Sequence, residues 1–192
     1  LANFPVELAI QEEQLGTGHA VLCAEPAIDA MEGSVMILCG DTPLIRAETL
    51  QAMIVHHSAQ NAILTVMTTI LDDPTHYGRI ISNTDGDVLS IVEEKDADGE
   101  HTKIPEINAG IYCIDTQFLF THLKNFGTDN SQGEVYLTDI VTQAVERIYV
   151  CKNLSIRHRR MCLELIQDLN WHKPTTSYNF VEIVILWRRV SV

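Results

Sequence analysis

Asp41 ends the apolar run SVMILCGD (34–41), directly after Gly40. A ligand can approach the bare backbone of a glycine, and a carboxylate beside it suits a hard cation such as Mg²⁺. The same Gly-Asp pair also reads as a turn capping the next helix. QEEQLGTGHAV (11–21) sets two glycines, a threonine and a histidine after a short apolar run. It is either a turn into a helix or a loop whose open backbone wraps a base or a phosphate. Asn108 and Gly110 interrupt EINAGIYCID (106–115), where a polar amide either satisfies a bulge or hydrogen-bonds a ligand hydroxyl. Glu93, at the end of RIISNTDGDVLSIVEE (79–94), is an ordinary strand-end carboxylate or an acceptor for sugar hydroxyls. His56 and His57 are adjacent and cannot share a helix face, so a half-exposed helix is expected there rather than a metal site. No Gly-x-Ser-x-Gly, phosphate-binding Walker loop or His-Glu-x-x-His is present.

The elements that must position these residues alternate in kind. VELAI (6–10) reads as a short strand, and HAVLCAEPAI as a helix start limited by Pro26. SVMILCGD is apolar without alternation, which suggests a strand buried on both faces, as in a parallel sheet, and NAILTVMTTIL (61–71) reads as a second buried strand. A helix is expected from about Arg46 to Ala59 between them. RIISNTDGDVLSIVEE is a hairpin around Asp85-Gly86, and 106–115 is a further strand. TQFLFTHLKNF and LTDIVTQAVERI read as helices, and EEKDADGEHTK (93–103), Glu93 apart, as a solvated loop. The class expected is α/β with a mainly parallel sheet and one inserted hairpin.

At 192 residues and 46% hydrophobic content the chain can bury an ordinary core. Its formal net charge of −13 argues against nucleic acid or an anionic membrane surface as partner. No apolar run is long enough to span a bilayer, and LANFPVELAI lacks the basic start of a signal peptide. Five cysteines without a CxxC pair fit a reducing cytosol, so a cytoplasmic protein is expected. The charge is uneven: residues 1–148 carry 23 acidic and 6 basic side chains, whereas 149–192 carry 3 and 7. All ten glycines lie in the first part and both tryptophans in the second. A boundary is therefore expected near residue 148.

QLGTGHA, GDTPLI, LDDPTHYGRI, IVEEKDA, EINAGIY and QGEVYLTDI occur in this order. The series resembles the uridyltransferase half of the bifunctional N-acetylglucosamine-1-phosphate uridyltransferases, over residues 6 to about 148. The resemblance implies a Rossmann-like nucleotide-diphospho-sugar transferase fold. It also implies transfer of a uridylyl group from UTP to N-acetylglucosamine 1-phosphate with Mg²⁺, giving UDP-N-acetylglucosamine and pyrophosphate. On this resemblance Gln11, Gly16 and Thr17 would contact the uracil. Gly40 and Asp41 would lie near the ribose and phosphates, with Asp41 the metal ligand and catalytic residue. Gly78, Glu93 and Asn108 would hold the sugar, and Tyr136 and Thr138 would line its side. Another sugar-phosphate nucleotidyltransferase, or a non-catalytic sugar- or nucleotide-binding module with a basic C-terminal arm, are the alternatives.

Departures from the family pattern are Cys39, often a tyrosine; His76, usually a glycine; and Ala109, a mild variant. The family's opening strand and Gly-rich L-A-A-G-x-G-T-R-M loop, its downstream G-[VI]-N-[SN]-R segment and its β-helix acetyltransferase domain, through which members homo-oligomerise, have no counterpart in these 192 residues. The expectation is an N-terminally shortened domain, 1–148, inactive alone. Residues 149–192 form an atypical tail. Read one frame over, Met161 to Trp187 can yield a sequence containing G-I-N-S-R, which suggests a frameshift near Tyr149 to Lys152 and a tail that packs poorly.

Overall fold

The computed structural model describes residues 7–28, 32–40, 45–147, 149 and 151–155, together with the backbone path of 183–188. Helix α1 spans Thr17–Cys23, and Pro26 falls in the 3-10 turn Glu25–Ala27 that follows it. Strand β1 is Ser34–Cys39, helix α2 is Ala47–Ala59 and strand β2 is Leu64–Ile70. The hairpin strands are β3, Arg79–Ser82, and β4, Val88–Val92, and the long strand β5 is Glu106–Asp115. Asp115 ends it and caps helix α3, Thr116–Leu123, by accepting the Phe118 N–H at 2.7 Å. Helix α4 is Asp139–Glu146, and strands β6, Cys151–Ser155, and β7, Ile183–Arg188, complete the sheet.

All seven strands belong to one sheet, with β5 at its centre. One edge of β5 runs along β2; the other pairs with β1 through Tyr112–Asp115 and meets β3 at Ile107. Two hydrophobic layers cover the faces. Val35 and Ile37 of β1 point to a core shared with α1, α3 and α4, where Val21, Phe118, Leu119, Ile140 and Val141 are buried. Met36 and Leu38 point to the other face, against Met53 of α2. This coverage on both sides buries the middle of β1 and all of β2 but Ile70.

The α/β class and the inserted hairpin are present, but the sheet is not mainly parallel among the described residues. Only β2 and β6 pair in parallel; the β1–β5, β1–β7, β2–β5, β3–β4 and β3–β5 pairings are antiparallel. Strands β1 and β2 do run in the same direction, yet antiparallel β5 lies between them. A double-sided apolar run reports helices on both faces and says nothing about the direction of the neighbouring strand.

Residues 7–10 form no strand, and Leu8 and Ile10 are exposed, so the short strand expected there is not present among the described residues. Beyond residue 148 the packing is better than expected as far as Ser155. Strand β6 extends β2 in parallel, Cys151 is buried, Lys152 pairs with Asp87 and Asn153 Nδ2 donates to Glu106 Oε1 at 3.0 Å. Strand β7 pairs along β1 from Ser34↔Arg188 to Cys39↔Ile183. The helix anticipated near Met161 lies outside the described residues.

Candidate functional site

Gly16 is the pivot of the first loop. Its φ of +106° and ψ of 173° belong to a region that side-chain-bearing residues avoid, and a Cβ there would sit 2.5 Å from the Val135 carbonyl oxygen. That closeness lets two backbone bonds zip the loop to the segment before α4: Val135 N–H donates to Leu15 O and Gly18 N–H to Val135 O, both at 2.8 Å. Thr17 Oγ1 accepts the Leu137 N–H at 3.0 Å. The Gln11 amide nitrogen spans the loop from outside, donating to Gly16 O at 3.1 Å and meeting His19 Nδ1 at 3.0 Å. Gln11 Oε1 takes no bond among the described residues.

The zipped segment continues into Tyr136 and Thr138, both buried. Thr138 Oγ1 donates to Glu93 Oε1 at 3.1 Å, and Tyr136 OH accepts from Gln132 Nε2 at 2.7 Å. Burial raises the Glu93 carboxyl above its usual range, Asp139 and Asp96 push it further, and the Thr138 bond opposes them. Gly78 lies against this carboxylate: a Cβ there would come within 3.4 Å of Glu93 Oε2 and 3.0 Å of Ile91 Cγ2. The neighbouring Glu94 ties the loop before β3 to the end of β4. It accepts the His76 N–H at 2.6 Å, lies 3.2 Å from His76 Nδ1 and 3.6 Å from the buried Arg79 guanidinium. His76 has a left-handed φ of 76°, and these contacts hold it there.

Gly78 O in turn accepts the Asn108 N–H at 2.9 Å, which brings the hairpin to β5. Opposite Met67 the register slips: Val66 faces Tyr112 but Thr68 faces Asn108, so residues 109–111 bulge. Asn108 Oδ1 accepts the Gly110 N–H at 2.9 Å, and Asn108 Nδ2 donates to Tyr112 OH at 2.5 Å. Gly110 has φ +73°, and a Cβ on it would lie 2.8 Å from Cys39 Sγ. Cys39 Sγ donates to Gly110 O at 3.2 Å, so Gly40 and Asn108 lie at the same end of the sheet, the carboxyl end of β1.

The Gly16–Thr17 loop is thus bonded to Val135 and Leu137, which flank Tyr136 and precede Thr138; Thr138 bonds Glu93, Gly78 lies against Glu93, and Gly78 O accepts from Asn108, with Gln11 bonded to the loop from outside and Gly40 following Cys39, which bonds Gly110. Asp41 lies outside the described residues. Among the described residues no three His, Cys, Asp or Glu side chains gather to hold a metal ion. The histidine pair serves packing. Helix α2 is half-exposed, as expected, and His57 is on its buried side, with Nδ1 2.9 Å from Thr65 Oγ1 and Nε2 3.2 Å from Ser34 Oγ. Tyr112, Glu94 and Arg79 are participants that sequence reasoning passed over. A tyrosine in an otherwise aliphatic strand was the one available signal for the first; the other two look like ordinary surface charges.

The geometry sits in a chain whose relatives are clear. The nucleotidyl transferase family model matches residues 2–171. The bifunctional protein GlmU of Geobacter sulfurreducens is 55% identical over 146 residues, and that of Geobacter metallireducens 58%. Each alignment covers 76% of this chain and 31% of the relative, so the chain spans about a third of their length. GlmU of Desulfotalea psychrophila is 54% identical, with 43% of its length covered. A crystal structure of UDP-glucose pyrophosphorylase complexed with UDP-glucose superposes with a TM-score of 0.61 over 84% of this chain and 63% of that one. At 17% identity this is a likeness of fold. No described helix is long and apolar enough to cross a membrane. On the family match across most of its residues, and on relatives more than half identical over three quarters of it, this chain belongs to the nucleotidyl transferase family.

Proposed function

We propose that this chain carries the uridylyl-transfer site of an N-acetylglucosamine-1-phosphate uridyltransferase. The observation that carries the reading is the unbroken series of contacts from the Gly16–Thr17 loop through Thr138 and Glu93 to Asn108. It links the Gly16–Thr17 turn to the carboxylate of Glu93 and the amide of Asn108. Gln11 donates one amide hydrogen to the loop and keeps Oε1 as an acceptor, which complements the N3–H of uracil and opposes cytosine, whose N3 is itself an acceptor. Glu93 and Asn108 supply an acceptor and an amide to sugar hydroxyls. In the reaction a phosphate oxygen of the sugar 1-phosphate attacks the α-phosphorus of UTP; the new P–O bond forms as the bond to pyrophosphate breaks. The protein's part is to hold the two substrates in line. A divalent cation, Mg²⁺ in this reading, would be held by Asp41 together with phosphate oxygens, a donor set that suits that ion, and would neutralise phosphate charge.

The test is calorimetric titration of the chain with UDP-N-acetylglucosamine, UDP-glucose, UDP and CDP. The expected order is UDP-N-acetylglucosamine tighter than UDP-glucose, and UDP tighter than CDP. Equal binding of UDP and CDP, a preference for glucose, or no binding of UDP-N-acetylglucosamine refutes the reading.

A further inference from the structure

We propose that Tyr112 is a positioning residue of the sugar end of this site: its phenolic oxygen locks the Asn108 amide in one orientation, ready for a sugar hydroxyl. The inference rests on the nucleotide-sugar reading above. The β5 bulge turns Asn108 back along its own strand, so that it meets a residue four positions on. Its two ends are then fixed separately, Oδ1 by the Gly110 N–H at 2.9 Å and Nδ2 by Tyr112 OH at 2.5 Å. An amide offers two N–H hydrogens and two lone pairs. Among the described residues one of each is used, which leaves one of each for a ligand. That pair matches a hydroxyl group, which both donates and accepts.

Without the phenol oxygen nothing fixes which N–H faces the site, and the amide is held at one end only. Tyr112 itself cannot yield. It is 3% exposed and packs in the core formed by Val35, Ile37, Leu64, Val66 and Ile114. Burial keeps its hydroxyl protonated, and the nearby Glu93 and Cys39 reinforce this, so the oxygen stays a neutral acceptor. Phenylalanine at this position would fill the same volume and remove only the acceptor.

The experiment compares the full chain with its Tyr112→Phe, Asn108→Ala and doubly substituted forms. Affinities for UDP-N-acetylglucosamine and UDP are measured by calorimetry, and the Asn108 side-chain amide is followed by ¹H–¹⁵N NMR. Expected is a roughly five-fold loss of UDP-N-acetylglucosamine affinity in Tyr112→Phe, the size of one hydrogen bond. UDP affinity should stay unchanged. In the Asn108→Ala background Tyr112→Phe should add nothing, because Tyr112 acts through Asn108. The Asn108 amide protons should exchange with solvent faster in Tyr112→Phe. Equal losses for UDP and UDP-N-acetylglucosamine, additive losses in the double variant, or an unaltered Asn108 amide signal overturns the proposal. If Tyr112→Phe does not fold, the Asn108 amide in the unaltered chain decides: exchange protection supports the bond, and free exchange overturns it. If the unaltered chain binds UDP but not UDP-N-acetylglucosamine, the sugar reading fails, and the sugar role of Tyr112 falls with it.

Discussion

Replacing Gly16 by alanine should cost the protein far more than a surface glycine substitution does. The residue lies at φ +106°, where a non-glycine residue is strained by about 1–3 kcal/mol. Its new methyl would meet Val135 O at 2.5 Å and both Glu134 Cβ and Val135 N at 2.9 Å, all on rigid neighbours. The loop must move away. The two 2.8 Å backbone bonds that zip it to Val135 then go, at about 0.5–1.5 kcal/mol each. Together the loss is about 4 kcal/mol, a large share of the roughly 5–15 kcal/mol that holds a domain folded. With a urea slope of about 2 kcal/mol per M, the unfolding midpoint should fall by roughly 2 M. Gly86→Ala is the control. At φ +85° it carries the backbone strain, but nothing lies within 4 Å of its added methyl, so its cost should be only about 1–2 kcal/mol. If Gly16→Ala is no worse than Gly86→Ala in urea titrations, the contact between the glycine loop and residues 134–135 does not hold the fold, and the reasoning is wrong.

Two further outcomes are expected. Because burial raises the Glu93 carboxyl above its unfolded value of 4.5, its ionisation costs the folded state; that stability is intact below pH 4.5 and lost as pH rises through the raised value. Glu93→Gln should therefore match the parent in urea at pH 4 and exceed it at pH 7.5 while binding UDP-N-acetylglucosamine more weakly; a variant less stable at pH 7.5 would contradict this. The Cys113 and Cys151 thiols, pushed up to about 12 by burial, should resist alkylation by iodoacetamide at pH 8 in the folded protein and react in urea, as peptide mass mapping would show. Prompt labelling of Cys151 in the folded chain would mean that β6 does not cover β2.

Local elements were legible to within a few residues wherever the pattern met its cause nearby. Asp85-Gly86 marks the hairpin turn, and the apolar helix faces mark α3 and α4. VELAI misled because a short apolar stretch describes a capacity to pair, and residues 7–10 form no strand among the described residues. The histidine pair lies on a half-exposed helix, as its adjacency implied, but adjacency could not show that Ser34 and Thr65 from two strands would close around His57.

What the sequence by itself determined is the ordered set of short motifs, and with it the α/β class and the family. These depend on residue identity along the chain, which needs no third dimension. It also supplied the open choice at Asn108, bulge or ligand amide. Only the tertiary structure decided that the bulge forms and that its amide is held by Tyr112. Only the tertiary structure decided strand direction, because helices on both faces of a strand make it apolar whichever way its neighbours run. The support of the site belongs to the same category: Glu94 and Arg79, or Gly16 and Val135, become partners through loop closures of 15 to over 100 residues, and no local pattern carries that information.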